Sequence, residues 1–317
     1  MENLLDVKNL KKYFKTPHGN LHAVDDVSFS IKRGQTLGVV GESGCGKSTL
    51  GRMLLRLIEP TAGQILYDGQ DIVGFNRRAL KQFRKKMQII FQDPYSSLNP
   101  RMTVSELIAE PLRVFCPDLT KNDVNDRVNE LMKTIGIAER LVNSYPHELD
   151  GGRRQRIGVA RALAINPEGI VCDEPVSALD VSIQAQILNL LMDLQEQFKL
   201  TYVFITHDLS VVKHISTEIS VLYLGQCVEH ARSDELFENP LHPYTQALLE
   251  AIPLPNLTRK GQPRENIIRG ELSSPINPKP GCRFAVRCPY AKNECSGEDI
   301  PLKEISPGHY AACCRLN

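Results

Sequence analysis

The sequence lacks any long hydrophobic run and carries almost no net charge. None of its apolar stretches approaches the roughly 20 residues that a membrane-spanning helix needs, and the N-terminal MENLLDVKNL has no signal-peptide core. The 38 lysines and arginines nearly balance the 37 acids, and the resulting net charge of +1 does not favour nucleic acid as a partner. We therefore expect a soluble cytoplasmic protein, with docking on a membrane protein left open.

The chain also lacks an internal repeat, and its 317 residues suffice for one large α/β domain plus an appended segment, or for two modest domains. Strand-like segments come first and lead into a glycine loop: LLDVKNLKKYF, AVDDVSFSI and TLGVVG. Apolar residues at helical spacing then predict a helix that starts at Lys47 and that Pro60 closes. The basic run RRALKQFRKK is typical of a solvated helix face.

Residues from about 100 to 145 have a helical pattern with no strand between, which predicts a helical insertion within an α/β core. Strands return at GIVCDE and TYVFITHD with one helix between them, an order typical of a parallel sheet. A β segment, ISVLYLGQCVEHA, and two helices, SDELFENP and HPYTQALLEAI, follow. Beyond residue 255 the composition shifts to Pro, Gly and Cys, which indicates an irregular extension.

The stretch GESGCGKS matches the P-loop pattern and stands between a predicted strand and a predicted helix. Its glycines let backbone N–H groups turn toward phosphate oxygens, and the helix start adds a positive dipole end. Lys47 is expected to reach the β- and γ-phosphates, and Ser48 to ligate Mg²⁺. Cys45 lies near a helix start, where a thiol can become reactive, but a small spacer is the better interpretation. The predicted ATP-binding residues here are Gly41, Glu42, Ser43, Gly44, Cys45, Gly46, Lys47, Ser48 and Thr49.

The strand GIVCDE brings two acids to the edge of the predicted sheet, after Cys172, which should be buried. Asp173 is expected to hold the hydration shell of Mg²⁺, and Glu174 to orient the attacking water. Alone, two acids at a strand end are as often an ordinary polar terminus. Together with the P-loop they predict hydrolysis of a nucleoside triphosphate.

With these two sites, residues 1 to about 255 resemble the ATP-binding subunits of ABC transporters. Further motifs of that family occur here in its order. Tyr13 matches the aromatic residue that stacks on adenine, Gln92 the glutamine that senses Mg²⁺, and His207 the switch histidine near the γ-phosphate. The signature turn would be Leu149, Asp150, Gly151, Gly152 and Arg153, and the D-loop Ser177, Ala178, Leu179 and Asp180.

The resemblance implies a fold, an activity and partners. The fold would be a P-loop NTPase core, with a RecA-like parallel sheet, an antiparallel β subdomain and a helical subdomain at about 95–160. The activity would be an ATPase with Glu174, His207 and Gln92 as catalytic residues and Mg²⁺ held by Ser48, Gln92 and Asp173. In this family two subunits pack head to tail with each ATP between one P-loop and the other signature turn, and closure moves a membrane channel.

Finer details resemble the dipeptide, oligopeptide and nickel importer branch: DPYSSLNPRMTV, ENPLHPYTQALLEAIP and GCRFAVRCPYAKNEC. This implies di- or oligopeptide import, with nickel as the alternative. The partners would be a second ATP-binding subunit, two transmembrane permease subunits contacted by the helical insertion and the QDPYSSLNPR loop, and an extracytoplasmic solute-binding protein. The location would be peripheral, on the cytoplasmic face of the cell membrane.

Residues 256–317 are predicted to form a C-terminal extension with a cysteine cluster. Subunits of this branch that share the C-x5-C-x6-C-x17-C spacing carry a [4Fe-4S] cluster, which implies the ligands Cys282, Cys288, Cys295 and Cys313. Cys314 could replace Cys313, zinc sites usually use closer cysteine pairs, and free thiols in a loose tail are a further interpretation. We expect a stabilising metal site, because a Pro- and Gly-rich segment builds little core; electron transfer stays open.

Asp150 departs from the family pattern, which has a serine that donates its hydroxyl to the γ-phosphate on the partner's P-loop. An ionised aspartate cannot donate, and it repels phosphate. Two features soften this interpretation: aspartate is a good helix N-cap, and Arg153, where the family has glutamine, can partly neutralise it. The composite site that uses this signature is therefore expected to be impaired, which favours a heterodimer with a normal signature on the partner.

Two other classes of function compete with an importer ATPase. A soluble ABC protein acting on ribosomes or DNA usually carries two ATP domains or a long coiled coil, and the sequence has neither. An iron–sulfur redox protein that happens to bind ATP would not need the full hydrolytic set. Co-purification with membrane subunits discriminates these three classes.

Overall fold

The computed structural model describes residues 2–252 and 273–316. The strands are β1 (Asn3–Thr16), β2 (Gly19–Lys32), β3 (Thr36–Val40), β4 (Ala62–Tyr67), β5 (Gln70–Asp71), β6 (Met87–Ile90), β7 (Gly169–Asp173), β8 (Thr201–Thr206), β9 (Glu218–Tyr223), β10 (Gln226–Arg232), β11 (Lys303–Ser306) and β12 (His309–Ala311). The α-helices are α1 (Lys47–Leu54), α2 (Arg77–Lys86), α3 (Pro94–Ser97), α4 (Val104–Phe115), α5 (Lys121–Thr134), α6 (Gly151–Leu163), α7 (Val181–Phe198), α8 (Leu209–Ile215), α9 (Ser233–Glu238) and α10 (Pro243–Ala251).

The chain divides into two compact units. Unit 1 comprises residues 1–4, 31–35 and 74–205, and unit 2 comprises residues 5–30, 36–73 and 206–317. The described part of the C-terminal extension thus belongs to the same unit as the P-loop. The predicted boundary at residue 255 falls among residues 253–272, outside the described residues, and stays a prediction.

Unit 1 contains a parallel sheet in which β7 lies between β6 and β8. The fully buried Ile170, Val171 and Cys172 of β7 explain its continuous apolar run, since strands of a covered parallel sheet are buried on both faces. The predicted strands GIVCDE and TYVFITHD are confirmed, and Cys172 is buried as expected. Strand β6 was not predicted, because its four residues directly follow the basic helix α2.

Residues 94–163 of unit 1 contain helices and no strand, as the sequence predicts. Two of these helices, α4 and α5, begin with a reciprocal side-chain cap. Thr103 and Glu106 form a reciprocal capping box at the start of α4, and Thr120 and Asp123 do the same for α5. Each cap satisfies backbone N–H groups that a helix start leaves unpaired, which fixes where these helices begin.

Unit 2 contains two sheets. The first has the order β2-β1-β4-β5, and its β1–β4 and β4–β5 pairs are antiparallel, as expected for the β subdomain. In the second, β3 pairs in parallel with β9, and β10, β12 and β11 follow in antiparallel order. The prediction of an irregular extension is therefore wrong for Lys303–Ala311, where a hairpin adds two strands beside β10.

Helix α1 ends earlier than predicted. Its last residue is Leu54 instead of a residue close to Pro60. Arg56 has a left-handed backbone with φ 50°, and the N–H groups of Arg56 and Leu57 donate to Met53 O and Arg52 O at 2.8 and 2.9 Å. This pair of bonds is a Schellman motif, which usually has glycine at the left-handed position. An arginine there gives no sequence signal for the helix end.

Among the described residues, no helix combines the length and the apolar character that crossing a bilayer requires.

Candidate nucleotide-binding site

The P-loop of unit 2 connects β3 to α1. Gly46 precedes the helix with φ 103°, and a Cβ at this position would stand 1.9 Å from Ala23 O. Only glycine fits both the backbone conformation and this approach. The tip of the loop, Ser43 and Gly44, is exposed, so it is accessible to a ligand.

Lys47 points into the loop that precedes it. Its Nζ donates to Gly41 O at 2.8 Å and to Glu42 O at 3.0 Å, and the side chain is buried. These bonds satisfy the buried ammonium group, and phosphate oxygens can replace them. Burial raises the pKa of the neighbouring Cys45 thiol, which therefore stays protonated at neutral pH. That environment fits the spacer interpretation of Cys45 and gives no support to a redox switch.

Tyr13, the predicted adenine-stacking residue, also belongs to unit 2. Its ring stacks on His22 with the ring centroids 3.9 Å apart and an angle of 23° between the planes. Its hydroxyl donates to Asp25 Oδ1, and His22 Nδ1 lies 2.9 Å from Asp25 Oδ2. Burial and the Asp25 carboxylate raise the pKa of Tyr13, so the ring stays neutral. A flat, neutral ring with a fixed hydroxyl is suited to stacking on a base.

The predicted hydrolytic residues of unit 1 lie at the carboxyl end of β7. Asp173 is buried, and Glu174 has a left-handed φ of 47°, held by its N–H donating to Ile205 O at 2.9 Å. Such a conformation costs about 1–3 kcal/mol in a non-glycine residue and is typical of functional sites. Gln92 Nε2 donates to Glu174 Oε2 at 3.0 Å, and Ser177 Oγ donates to Glu174 O at 3.2 Å.

The contacts around Glu174 join three predicted motifs, because Gln92 follows β6, Glu174 follows β7 and Ser177 opens the D-loop. The D-loop also contacts the signature. A Cβ on Gly151 would stand 3.1 Å from Leu179 Cδ2, and one on Gly152 would stand 2.7 Å from Ile183 Cγ2. The signature glycines therefore allow α6 to approach the D-loop closely. The remaining D-loop residues, Ala178 and Asp180, are exposed, and Asp180 caps α7 through Ile183 N at 3.0 Å.

Asp150 is the N-cap of α6. Its Oδ1 accepts from Arg153 N at 2.8 Å, and its Oδ2 lies 3.4 Å from Arg153 Nη1. The structure thus has both features that soften the interpretation of Asp150 as a defect. Leu149 is buried, and Asp150 and Arg153 are exposed. Solvent therefore reaches the charged side chains of the signature turn.

The two units divide the predicted magnesium set. Ser48 belongs to unit 2, and Gln92 and Asp173 belong to unit 1. His207 is exposed directly after β8, at the start of the last stretch of unit 2, and Thr49 is half-buried in the first turn of α1. Hydroxyl, amide and carboxylate oxygens are suitable donors for Mg²⁺. The set fits this ion in its chemistry, and its assembly across both units stays a prediction.

The cysteines of the C-terminal extension lie close to one another. Cys282 N donates to Cys295 O at 2.9 Å, and the sulfur of Cys295 lies 3.0 Å from that of Cys314, the neighbour of the predicted ligand Cys313. Burial and the other cysteines raise the pKa of Cys282 to about 11. A hydrogen bond with Cys295, together with burial, raises the pKa of Cys314 to about 12.

Over residues 2–252 and 273–316, no three His, Cys, Asp or Glu side chains converge as a ready metal site. The donor set, four or five thiols in one short segment, is nevertheless the one that an iron–sulfur cluster takes. The four-cysteine ligand set stays a prediction.

Two groups of contacts in this site were not predicted. Arg287 pairs with Glu42 of the P-loop, and Arg283 pairs with Asp25 beneath Tyr13. The partners are 245 and 258 residues apart in sequence. The only sequence signal is that each arginine directly adjoins a cysteine in GCRFAVRC.

Comparison with known proteins identifies the class of protein to which this chain belongs. Residues 24–177 match the family described as ABC transporter, and residues 228–295 match the family described as oligopeptide/dipeptide transporter, C-terminal region. The dimeric ATP-binding cassette MJ0796, solved in a post-hydrolysis state bound to ADP and Pi, is similar with a TM-score of 0.67 and 31% identity. That match covers 72% of this chain and 98% of the other.

Two curated relatives extend the similarity over nearly the whole chain. The oligopeptide transport ATP-binding protein AppF of Bacillus subtilis is 50% identical, over 98% of this chain and 97% of its own length. The oligopeptide transport ATP-binding protein OppF of Salmonella typhimurium is 49% identical, over 98% of this chain and 93% of its own length. The chain belongs to the ABC transporter ATP-binding proteins, in the branch with this C-terminal region, and is an ABC ATPase with a P-loop fold.

Proposed function

We propose that this chain is the ATP-hydrolysing subunit of an importer of oligopeptides. The observation that carries the proposal is the similarity to oligopeptide transport ATP-binding proteins. It spans both the P-loop and the C-terminal region, with sequence identities of 50% and 49%. The substrate passes through the membrane subunits, so the chain itself supplies ATP binding, hydrolysis and the mechanical coupling.

The proposed roles follow from the contacts around each residue. The P-loop N–H groups and Lys47 hold the phosphates once Lys47 exchanges its carbonyl partners for phosphate oxygens. Tyr13 receives the adenine on the face of its ring that lies opposite His22. Ser48, Gln92 and Asp173 hold Mg²⁺, which neutralises charge on the β- and γ-phosphates.

Glu174 orients the attacking water through its carboxylate, and Gln92 keeps that carboxylate in place through the bond to Oε2. His207 contacts the γ-phosphate and reports its presence. The hydrogen bond between Gln92 and Glu174 supports the proposal that these two residues act together. Movement of the loop after β6 changes the position of the hydrolytic carboxylate directly.

The proposed assembly is a head-to-tail heterodimer of ATP-binding subunits on two permease subunits, fed by an extracytoplasmic solute-binding protein. Asp150 supports the asymmetric form, because a carboxylate replaces the hydroxyl donor at the partner's γ-phosphate. Its pairing with Arg153 reduces the penalty, so we expect a weakened composite site rather than a silent one.

A cleft in unit 1 supports docking on the permeases at the cytoplasmic face of the membrane. Its volume is about 270 Å³, and its lining includes Ser97 of the QDPYSSLNPR loop and Val114 of α4. Val114 and Tyr95 are large apolar side chains that are 50% and 63% exposed. An exposed apolar side chain at a cleft, such as Val114 here, is suited to a protein interface. A short helix from a permease is the proposed occupant.

Cys282, Cys288, Cys295 and Cys313 are proposed to hold a [4Fe-4S] cluster, with Cys314 as the alternative to Cys313. Four thiolates are the ligands such a cluster takes, and bound metal would remove the protons that the raised pKa values keep on these thiols. The chemistry it supplies here is structural cross-linking of a segment with little apolar core.

The test is a pull-down of the tagged chain from detergent-solubilised membranes, followed by transport assays on the recovered complex. We expect two permeases, a second ATP-binding subunit and peptide-stimulated ATP hydrolysis. Lys47→Ala should abolish ATP binding without changing the recovered partners. Stimulation by nickel instead of peptides would move the chain to the nickel branch, and recovery without any membrane subunit would refute the importer.

A further inference from the structure

The C-terminal cysteine segment, Cys282 to Cys314, contacts the P-loop through a partly buried ion pair. Arg287 Nη1 donates to Glu42 Oε2 at 2.7 Å, and Nη2 donates to Oε1 at 3.1 Å. The Arg287 side chain is only 9% exposed. Two parallel bonds between a guanidinium and a carboxylate fix both groups in orientation, and partial burial reduces the screening of the pair by solvent. Glu42 is the second residue of the P-loop, so the pair lies at the phosphate-binding loop.

The backbone of Glu42 is held from the same side. Its N–H donates to Tyr244 Oη at 2.9 Å, and Arg287 Nη1 also donates to Tyr223 Oη at 3.4 Å. The Tyr223, Tyr244 and Phe284 rings contact one another with centroids 4.7 to 5.4 Å apart. Phe284 comes from the cysteine segment itself. An aromatic cluster of three chain regions therefore sets where the Glu42 and Arg287 partners meet.

The second arginine of the segment supports Tyr13. Arg283 donates to Asp25 Oδ2, the carboxylate that accepts the Tyr13 hydroxyl, and to Leu224 O. The next residue along, Gly225, donates its N–H to Cys45 O at 2.8 Å. The Arg283 side chain is buried. It contacts both the Asp25 carboxylate, which accepts the Tyr13 hydroxyl, and the turn that contacts the P-loop.

The turns of the cysteine segment fix the two arginines relative to each other. Ala285 N donates to Cys282 O at 3.0 Å, Arg287 N to Phe284 O at 2.9 Å and Cys288 N to Ala285 O at 3.3 Å. These consecutive bonds leave little freedom between Arg283 and Arg287. One short segment therefore presents one cation to Glu42 of the P-loop and one to Asp25, the carboxylate that accepts the Tyr13 hydroxyl.

Without Arg287, the Glu42 carboxylate would be an unpaired negative charge on a loop that must accept polyphosphate. The unpaired Glu42 carboxylate and a bound phosphate are both negative, so they would repel each other strongly where solvent is partly excluded. We propose that Arg287 and Arg283 are positioning residues of the nucleotide site, so that the C-terminal segment builds part of the ATP site of its own chain. The inference rests on the proposed nucleotide site and deepens it.

The test measures dissociation constants of the full-length chain for Mg·ATP and Mg·ADP by titration calorimetry. Arg287→Gln should weaken both by about tenfold, the scale of a lost charge-assisted bond. Arg283→Gln should weaken them by about threefold, because it acts on the base through Asp25 and Tyr13. Arg232→Gln is the matched control, since Arg232 also makes a two-bond pair, to Asp234, but is exposed and away from the loop. It should leave affinity unchanged.

A double-mutant cycle separates positioning from general stability. In the Glu42→Gln background the charge that Arg287 neutralises is gone, so adding Arg287→Gln should change affinity by less than about threefold. Arg287→Lys should restore part of the loss in the wild-type background, and it also serves if Arg287→Gln fails to fold. A full tenfold loss in both backgrounds, or no loss in either, would overturn the inference. Lys47→Ala tests the site separately: if it leaves affinity unchanged, the proposed nucleotide site itself fails.

Discussion

The charged groups in the P-loop region of unit 2 differ from those in the signature region of unit 1 in their exposure and in their partners. In unit 2, Lys47 is buried and donates to two carbonyl oxygens of the loop, and the half-buried Arg287 makes two bonds to the Glu42 carboxylate. In unit 1, Asp150 and Arg153 are exposed and paired mainly with each other. Phosphate binding therefore relies on groups that this chain has already arranged. The signature, by contrast, presents solvated charges.

This difference in exposure is expected for a nucleotide site whose P-loop half and signature half come from two different subunits. A loop that holds phosphate must be preorganised, because ordering it during binding would reduce affinity. A signature turn that acts on the nucleotide of another subunit has to stay accessible until the subunits close. The cysteine segment contributes contacts to the first of these halves, through Glu42 and Asp25.

The largest effect is expected when the proposed hydrolytic carboxylate is removed. This change leaves the contacts of the P-loop region and of the signature region in place. Glu174→Gln should lower ATP turnover of the assembled complex by about a hundredfold or more, the usual contribution of a positioned acid or base. ATP affinity should change little, because the amide keeps the shape of the side chain. Phosphate release and nucleotide binding measured on the same complex check this, and wild-type turnover would refute the role of Glu174.

Much of this site was predictable because its motifs are local in sequence. The P-loop glycines and Lys47 are contiguous, and Asp173 and Glu174 end one apolar strand. Strand β6 was missed because four residues after a basic helix carry no turn signal.

The partners of Arg287 could not be predicted, since Glu42 lies 245 residues away and either side chain alone is typical of a solvated surface. The hairpin β11–β12 was missed for a similar reason. Lys303–Ser306 is exposed throughout and shows no apolar alternation.

The next effect concerns the cysteine segment. Anaerobically produced chain should contain about four irons and absorb broadly in the visible range, as a [4Fe-4S] cluster does. Replacing Cys282, Cys288 and Cys295 by serine should remove the iron. Single Cys313→Ser and Cys314→Ser variants identify the fourth ligand. Zinc at one per chain with no iron would contradict the cluster, and Cys116→Ser is a control outside the segment.

A smaller effect is expected at the signature. Asp150→Ser restores a hydroxyl donor and keeps a favoured N-cap, so ATP-driven closure or turnover in the heterodimer should rise roughly threefold to tenfold. Pairing with Arg153 limits the gain, and Arg153→Gln in both backgrounds measures that limit. Asp150→Asn is the matched control, because it removes the charge without adding the hydroxyl. If Asp150→Ser changes neither affinity, closure nor turnover, Asp150 is only a helix cap.

The smallest effect is a pH dependence in the C-terminal hairpin. His309 Nε2 lies 2.8 Å from Glu229 Oε1, and Nδ1 lies 3.6 Å from Glu235 Oε1. Burial lowers the pKa of His309, but the hydrogen bond and charge of Glu229, together with Glu235, outweigh it and raise the pKa overall.

A raised folded-state pKa means that the stabilisation is complete below the unfolded value of about 6.5 and is lost as pH rises through the folded value. Urea unfolding from about pH 6 to about pH 9 should therefore show a decrease in stability that His309→Gln reduces. An identical pH profile in the variant would contradict the pairing.

The most direct test of the central claim is ATP-driven uptake of a labelled oligopeptide by vesicles that contain the reconstituted complex. With ATP on the side of the ATP-binding subunits and the solute-binding protein on the other, the wild-type chain should drive accumulation of the peptide. Glu174→Gln and Lys47→Ala should each stop it while the complex stays assembled. ATP hydrolysis without peptide uptake, or uptake that persists in Lys47→Ala, would contradict the account.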